Sequence, residues 1–441
     1  MITRRSLLLP ALLLAALALS TAACQDDNDS TGPAPAAGAS PTVGGPPQTP
    51  GEALTIEEIL QKDPGVTKRG EVVWGYLFEE SGVLAGFGQP AGDGLELAVE
   101  EINAAGGFQV GDTVYTIRLV QRDSRSEIAN TISLATELVQ DEGIKVLWGP
   151  AAMGDQESTA ITQQAGVLHL CPCPQRELTS LETADGMRDN APYAFQTLSA
   201  PSKFLPPGAL NTKRDYPQFD SFATICANSV PGHTFCEFFK GAYEGAGFEH
   251  VAEVFFPSET TDFSPFLTTL KQDDPDIILN FVDAGPEQFQ LLRQSWELDV
   301  GELYTGVELP YELFESLVGE GIRQKYVSAG AAPRGHAQYT SEQARAFFEE
   351  TYKPFAGGAL PPAAFAALLT YDPAYMVIAA MQRAGSVDNI DAITAALEQV
   401  HFSGAGEDDM YFDERHVIVT GNDACQIYQG QMTCQHYPPA E

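Results

Sequence analysis

The sequence predicts an α/β protein of two lobes, each an open, mostly parallel sheet covered by helices. Three observations lead there. Short β-rich apolar runs alternate with stretches whose apolar residues recur every three or four positions, beginning at Gly70. The alternation breaks once, in the Pro-rich and polar connection Phe195–Tyr216, and then resumes. The part of the chain able to fold is about 370 residues, enough for two domains.

The chain begins Met1-Ile2-Thr3-Arg4-Arg5, continues in the apolar run Ser6–Ser20, and reaches Thr21-Ala22-Ala23-Cys24. A basic start, a short apolar stretch and small residues before a cut site make a secretory signal over 1–24. The apolar run is too short to span a bilayer comfortably. Small residues before Cys24 resemble a bacterial lipobox, which implies that Cys24 becomes a lipid-modified first residue. Thr21 departs from the usual Leu or Val there. Arg4-Arg5 followed by Ser6-Leu7-Leu8 resembles a twin-arginine export signal. Residues 25–53 are mostly Pro, Gly, Ala, Ser and Thr and bury nothing, so 25–69 is expected to be a disordered tether and lead-in. As a flexible coil the tether reaches roughly 30 Å.

Strands are expected at Val72–Phe78, Tyr115–Val120, Ile144–Trp148 and Gly166–Leu170, because each is a β-rich or alternating apolar run. Leu95, Ala98, Val99 and Ile102, and then Ile128, Ile132, Ala135 and Val139, mark helices between them; Gly106-Gly107 stops the first. Phe195–Tyr216 is read as the passage between lobes. The second series places strands at Ser221–Ile225, Val251–Phe256, Asp276–Val282 and Glu302–Thr305. Helices are expected at His233–Ala246, Phe263–Gln272 and Glu287–Leu298. A long helical stretch, Pro361–Ala384, and a helix at Ile390–Val400 precede C-terminal hairpins. No segment after the signal is expected to approach a transmembrane span.

Sixty acidic residues face 24 basic ones, for a net charge of −36. Cleavage of the signal removes two arginines and no acid, which leaves about −38. Such a field repels nucleic acid and anionic lipid surfaces, so no nucleic-acid partner is expected. Six cysteines remain after Cys24, an even number in a compartment that permits disulfides. A two-residue turn at Gln429-Gly430 pairs Tyr428 with Gln431 and sets Cys425 opposite Cys434, within disulfide reach. Cys226 and Cys236 close a short loop and are a second candidate pair. Cys171 and Cys173 stand too near each other for an easy bridge, which leaves their partners open.

Gly86-Phe87-Gly88 with Gly92 invites a dinucleotide-binding reading, but the spacing is one residue too long and the loop starts too late after the strand. A loop that touches a small ligand fits better. The seven histidines form no metal-binding spacing, Asp273-Asp274-Pro275-Asp276 lacks a calcium loop's glycine and glutamate, and no Gly-x-Ser-x-Gly elbow occurs. No cofactor, metal or catalytic pair is nominated, and an enzyme is not expected. What remains is a set of loops at the carboxyl ends of parallel strands, where open α/β sheets bind ligands. They are Glu79–Gly88, Gly149–Asp155 and Cys171–Arg176 in the first half, and Ala227–Gly232, Asp283–Glu287 and Gly306–Tyr311 in the second.

Glu80-Ser81-Gly82, Phe87-Gly88 and the run Glu96–Gly107, which includes Glu100-Glu101-Ile102-Asn103-Ala104-Ala105-Gly106-Gly107, resemble the opening of the leucine/isoleucine/valine-binding-protein family. Arg122-Asp123-Ser124, Leu147-Trp148-Gly149-Pro150, Leu291-Leu292-Arg293-Gln294 and Tyr304-Thr305-Gly306-Val307-Glu308 fit as well, so the likeness covers roughly Gly70 to Gln435. The resemblance implies the type I periplasmic-binding-protein fold: two Rossmann-like lobes joined by three crossovers, with a ligand cleft between them. It implies lobe 1 at 70–197 plus 331–410 and lobe 2 at 198–330 plus 411–441. It further implies a solute-binding protein of an ABC importer that holds a small amino acid or amide-like molecule and delivers it to a separate permease. The location implied is extracytoplasmic, with lipid as the membrane anchor. In amino-acid-binding members the first lobe holds the ligand carboxylate through backbone N–H groups and hydroxyls. The matching loops here contain Ala152 and Met153, then Cys173 and Gln175, and lack the hydroxyls. Ser81 and Phe87 are further ligand candidates, Phe87 as an apolar cap. Glu308 stands where the family offers an acid to the ligand's ammonium, and Asp283 and Tyr193 lie near the cleft and hinge. Two rivals are a ligand sensor of the same fold and a secreted thiol oxidoreductase using Cys171 and Cys173.

Overall fold

The computed structural model describes residues 53–82, 84–173, 191–258, 260–282, 285–306, 326–333, 337–361, 363–428 and 431–438. The signal, Cys24 and the tether up to residue 52 lie outside them. The lead-in is built into the protein, contrary to expectation. Strand β1 (Leu54–Thr55) is followed by helix Ile56–Leu60, which opens with a capping box between Thr55 and Glu58. Ile59 is buried, and Gln382 Nε2 donates to its carbonyl at 2.9 Å.

The first sheet contains β2 (Lys68–Phe78), β3 (Phe108–Val110), β4 (Thr113–Asp123), β5 (Val146–Trp148), β6 (Leu168–Cys171) and β7 (Ala194–Gln196). Its order is β3-β4-β2-β5-β6-β7, parallel except for the β3–β4 hairpin. The second holds β8 (Ser221–Ala227), β9 (Glu249–Phe256), β10 (Ile277–Phe281), β11 (Leu303–Gly306), β12 (Tyr326–Pro333), β16 (Asn422–Tyr428) and β17 (Gln431–Tyr437). Its order is β17-β16-β12-β11-β10-β8-β9, and only the β12–β16 and β16–β17 pairs are antiparallel. Short pairs complete the set: β13 (Phe402–Ser403) with β1, and β14 (Tyr411–Phe412) with β15 (Ile418–Val419).

Helix Ala85–Ala104 packs on β2 through Gly88 and Gly92. A Cβ at Gly88 would stand 2.4 Å from the Glu79 carbonyl oxygen, and one at Gly92 would stand 1.8 Å from the Tyr76 hydroxyl. Gly86, Gly88 and Gly92, which looked like a ligand loop, therefore belong to a helix, with Gly88 and Gly92 one turn apart on its packed face and Gly86 exposed. Against the same helix lies Leu368–Ala384, whose Tyr371 and Tyr375 hydroxyls both donate to Glu101 at 2.5 and 3.0 Å. One later segment does reach membrane-span length: Ala364–Ala384 is long and apolar enough, yet its apolar window is buried inside the protein, as in a core helix. Trp74, Trp148 and Phe195 complete this core.

Phe195–Tyr216 is not a plain connection. Beyond β7 it forms helix Pro201–Asp215, with Pro206 and Pro207 inside it. Proline ordinarily interrupts a helix interior. Here Phe204, Leu205, Ala209 and Thr212 recur at helical spacing on a buried face that packs against helix Val230–Gly245 and β12. Phe412 and Ile418 pack in the first lobe's core, and β12 continues to Pro333 in the second sheet. The second sheet thus holds the chain as far as Pro333, and the first lobe's core still holds it at Ile418.

Three disulfides are present. Cys226–Cys236 ties the end of β8 to helix Val230–Gly245, and Cys425–Cys434 joins β16 to β17, where the two cysteines stand opposite each other and Tyr428 faces Gln431. Cys171–Cys173 corrects the expectation that these two stand too close to pair. At the end of β6 their Cα atoms lie 5.2 Å apart, inside the normal disulfide range.

Candidate functional site

Each sheet has a point where the chain reverses its direction of growth. In the first, β2 has β4 on one side and β5 on the other; in the second, β8 lies between β9 and β10. Ligands of open α/β sheets bind beyond the carboxyl ends of the strands at such points. The loops following β2 and β5, and those following β8 and β10, therefore form the candidate site.

In the first lobe the β2 and β5 loops are joined by one side chain that the sequence reading did not single out. Glu79 is fully buried. Its Oε2 accepts the Ala151 N–H at 2.8 Å, and its Oε1 accepts those of Ala152 at 3.0 Å and Met153 at 2.8 Å. The three N–H groups stand just before helix Asp155–Ala165, where unpaired donors and the helix dipole favour an anion. Burial raises the Glu79 carboxyl above its ordinary range, and the three N–H bonds pull the other way. Its only signal in the sequence is an acid placed immediately after an apolar strand.

Ala152 and Met153, expected to hold a ligand's anionic end, thus direct their N–H groups to Glu79. Ser81 is exposed and its hydroxyl donates to Asp123 Oδ2 at 2.6 Å, while the Glu80 and Ser81 N–H groups donate to Asp123 Oδ1. Glu80 accepts the Tyr76 hydroxyl at 2.6 Å. Phe87 lies in the first turn of helix Ala85–Ala104, half-buried, with its ring centroid 5.8 Å from that of half-buried Phe365. Phe365 was not foreseen, because it comes from a segment 278 positions along the chain. Cys173 is buried within its disulfide. Tyr193 is drawn to Asp391, to which its hydroxyl donates at 2.8 Å.

In the second lobe Ser229 caps helix Val230–Gly245 by accepting the Gly232 N–H. The His233 ring stacks on Phe255 at 3.9 Å and its Nε2 meets Asn228 Oδ1 at 2.8 Å. Near the end of β10, Asn280 is fully buried; its Nδ2 donates to the Thr305 carbonyl at 2.6 Å and its Oδ1 has no partner. Gln175, Asp283 and Glu308 lie outside the described residues.

A family model described as periplasmic binding protein matches residues 71–431, which span both lobes and every crossing between them. The chain belongs to the periplasmic binding protein family. Among the curated relatives of this periplasmic binding protein is the Leu/Ile/Val-binding protein homolog 6 of Brucella abortus. It is 24% identical over 347 residues, which cover 76% of this chain and 84% of that one. Among solved structures, the branched-chain amino acid transporter substrate binding protein of Streptococcus pneumoniae, in complex with isoleucine, has a TM-score of 0.67 at 25% identity. That match covers 84% of this chain and 100% of the other. A solute binding protein of an ABC transporter from R. palustris, in complex with benzoate, has a TM-score of 0.65 at 19% identity and covers 84% and 98%. The fold is the type I periplasmic binding fold, as the resemblance implied, and the family is one of transport proteins that bind a solute.

Proposed function

We propose that this protein captures a small polar molecule, amino-acid-like or amide-like, between its lobes and delivers it to the permease of an ABC importer. The observation that supports this most is that each of the two sheets of one family-matched chain has its own switch point. Capture needs no chemistry. A ligand that touches both lobes stabilises the closed arrangement by its differential affinity for it. The signal over 1–24 and Cys24 support an extracytoplasmic, lipid-anchored location, with 25–52 as a spacer. The buried Cys171–Cys173 pair supports a structural role over thiol exchange, which requires an accessible sulfur.

A thermal-shift screen against small metabolites, followed by X-ray scattering with each binder, tests the reading. The expected result is a binder that raises the melting temperature by mass action and shrinks the radius of gyration. Binders that leave the radius unchanged, or that emerge chemically altered, would overturn it.

A further inference from the structure

Glu79 carries an inference that rests on the capture reading and narrows it to a ligand class. Three successive N–H groups converge at the start of an eleven-residue helix, an arrangement that binds anions. They stand at the first lobe's switch point, where a ligand docks. Both oxygens of Glu79 already occupy them. Gly88 keeps the backbone of Glu79 tight against helix Ala85–Ala104, so the side chain has a fixed root. An anion arriving in the crevice finds these donors taken. At the second switch point, Asn280 Oδ1 is a buried acceptor that no donor satisfies. Among the described residues, then, the first lobe's anion seat is already filled and the second lobe carries an unsatisfied acceptor.

We propose that Glu79 is the specificity-determining residue of this site: an internal carboxyl group fills the anion seat. The captured molecule is then a neutral or cationic compound rich in hydrogen-bond donors, such as an amine, amide or polyol, and not a free carboxylate or phosphate. Isoleucine and benzoate, held by two of the similar structures, both carry a carboxylate; Glu79 separates this chain from such ligands.

Thermal unfolding of the purified protein and of a Glu79→Ala variant, each titrated with sodium acetate, tests the seat, with sodium chloride and acetamide as controls. The variant is expected to melt below the wild type and to regain about 1–3 °C, saturably, with acetate alone, while the wild type does not respond. A folded variant indifferent to acetate, or a wild type stabilised equally, overturns the proposal. Calorimetry of the wild type with matched pairs (isoleucine and isoleucinamide, benzoate and benzamide) tests the ligand class, and decides alone if Glu79→Ala does not fold. Carboxylates absent from the binders support it; a carboxylate bound tighter than about 1 mM overturns it. Failure of these arms while some other ligand still closes the lobes sinks this inference and spares the capture reading. A carboxylate-free response with no closure by any ligand does the reverse.

Discussion

Asp123 shows how single side chains hold the crevice in shape. It lies at the end of β4, and its carboxylate accepts the Ser81 hydroxyl and the N–H groups of Glu80, Ser81 and Arg125. Burial works against its charge, but these bonds prevail and hold the carboxyl below the usual carboxylate range. A depressed folded-state pKa adds stability above the unfolded value and loses it as pH falls through the folded one. Asp123→Asn should therefore cost about 1–2 kcal/mol at pH 7. The gap to the wild type should close below about pH 3. Urea denaturation at both pH values checks this, and a gap that persists in acid would contradict the assignment. Glu308 is proposed for the second lobe's share of the site from its sequence position alone. Glu308→Gln is expected to weaken an amine ligand about tenfold, the effect of losing one charge-assisted bond; titration calorimetry showing unchanged affinity would remove Glu308 from the site.

Helix Ala85–Ala104 is the element on which the first lobe's wall depends, because it seats Gly88 under Glu79 and Gly92 against Tyr76. Gly92→Ala forces a methyl group into the Tyr76 hydroxyl, which in turn bonds Glu80. The expected cost is about 1–3 kcal/mol of overpacking, read as an earlier urea midpoint with an unchanged slope; a neutral result would mean the helix can slide. This helix was legible in part. Leu95, Ala98, Val99 and Ile102 announced its body, but its first turns were read as a loop because glycines at 86, 88 and 92 weaken local helix propensity. Packing reverses that preference, since only glycine allows the approach to β2. Helix Pro201–Asp215 was hidden for a related reason: its prolines speak against a helix locally, and its apolar face is stabilised only once helix Val230–Gly245 and β12 cover it.

The two lobes are joined by three passages of the chain, and each sheet carries one switch point, where open α/β sheets bind ligands. If the protein is anchored as proposed, Cys24→Ser should release it from membranes into the soluble fraction of fractionated cells. Retention of the variant in the membrane pellet would defeat lipidation at Cys24. A single acylated cysteine followed by an acidic Gln25-Asp26-Asp27 stretch has no basic patch to reinforce it. Anchoring of this kind therefore rests wholly on the lipid.

By itself the sequence determined the alternation of strands and helices, the division into two lobes, the family resemblance, and the register that sets Cys425 against Cys434. All of these are carried by local periodicity or by neighbours a few positions apart. Only the tertiary structure decided that Glu79 fills the seat offered by Ala151, Ala152 and Met153, that Phe365 joins Phe87, and that Phe412 and Ile418 pack in the first lobe's core. Those contacts join residues tens to hundreds of positions apart, which sheet order brings together and no local pattern records. Cys171 and Cys173 are the instructive case between. Their nearness in sequence argued against a bond that the backbone at the end of β6 permits.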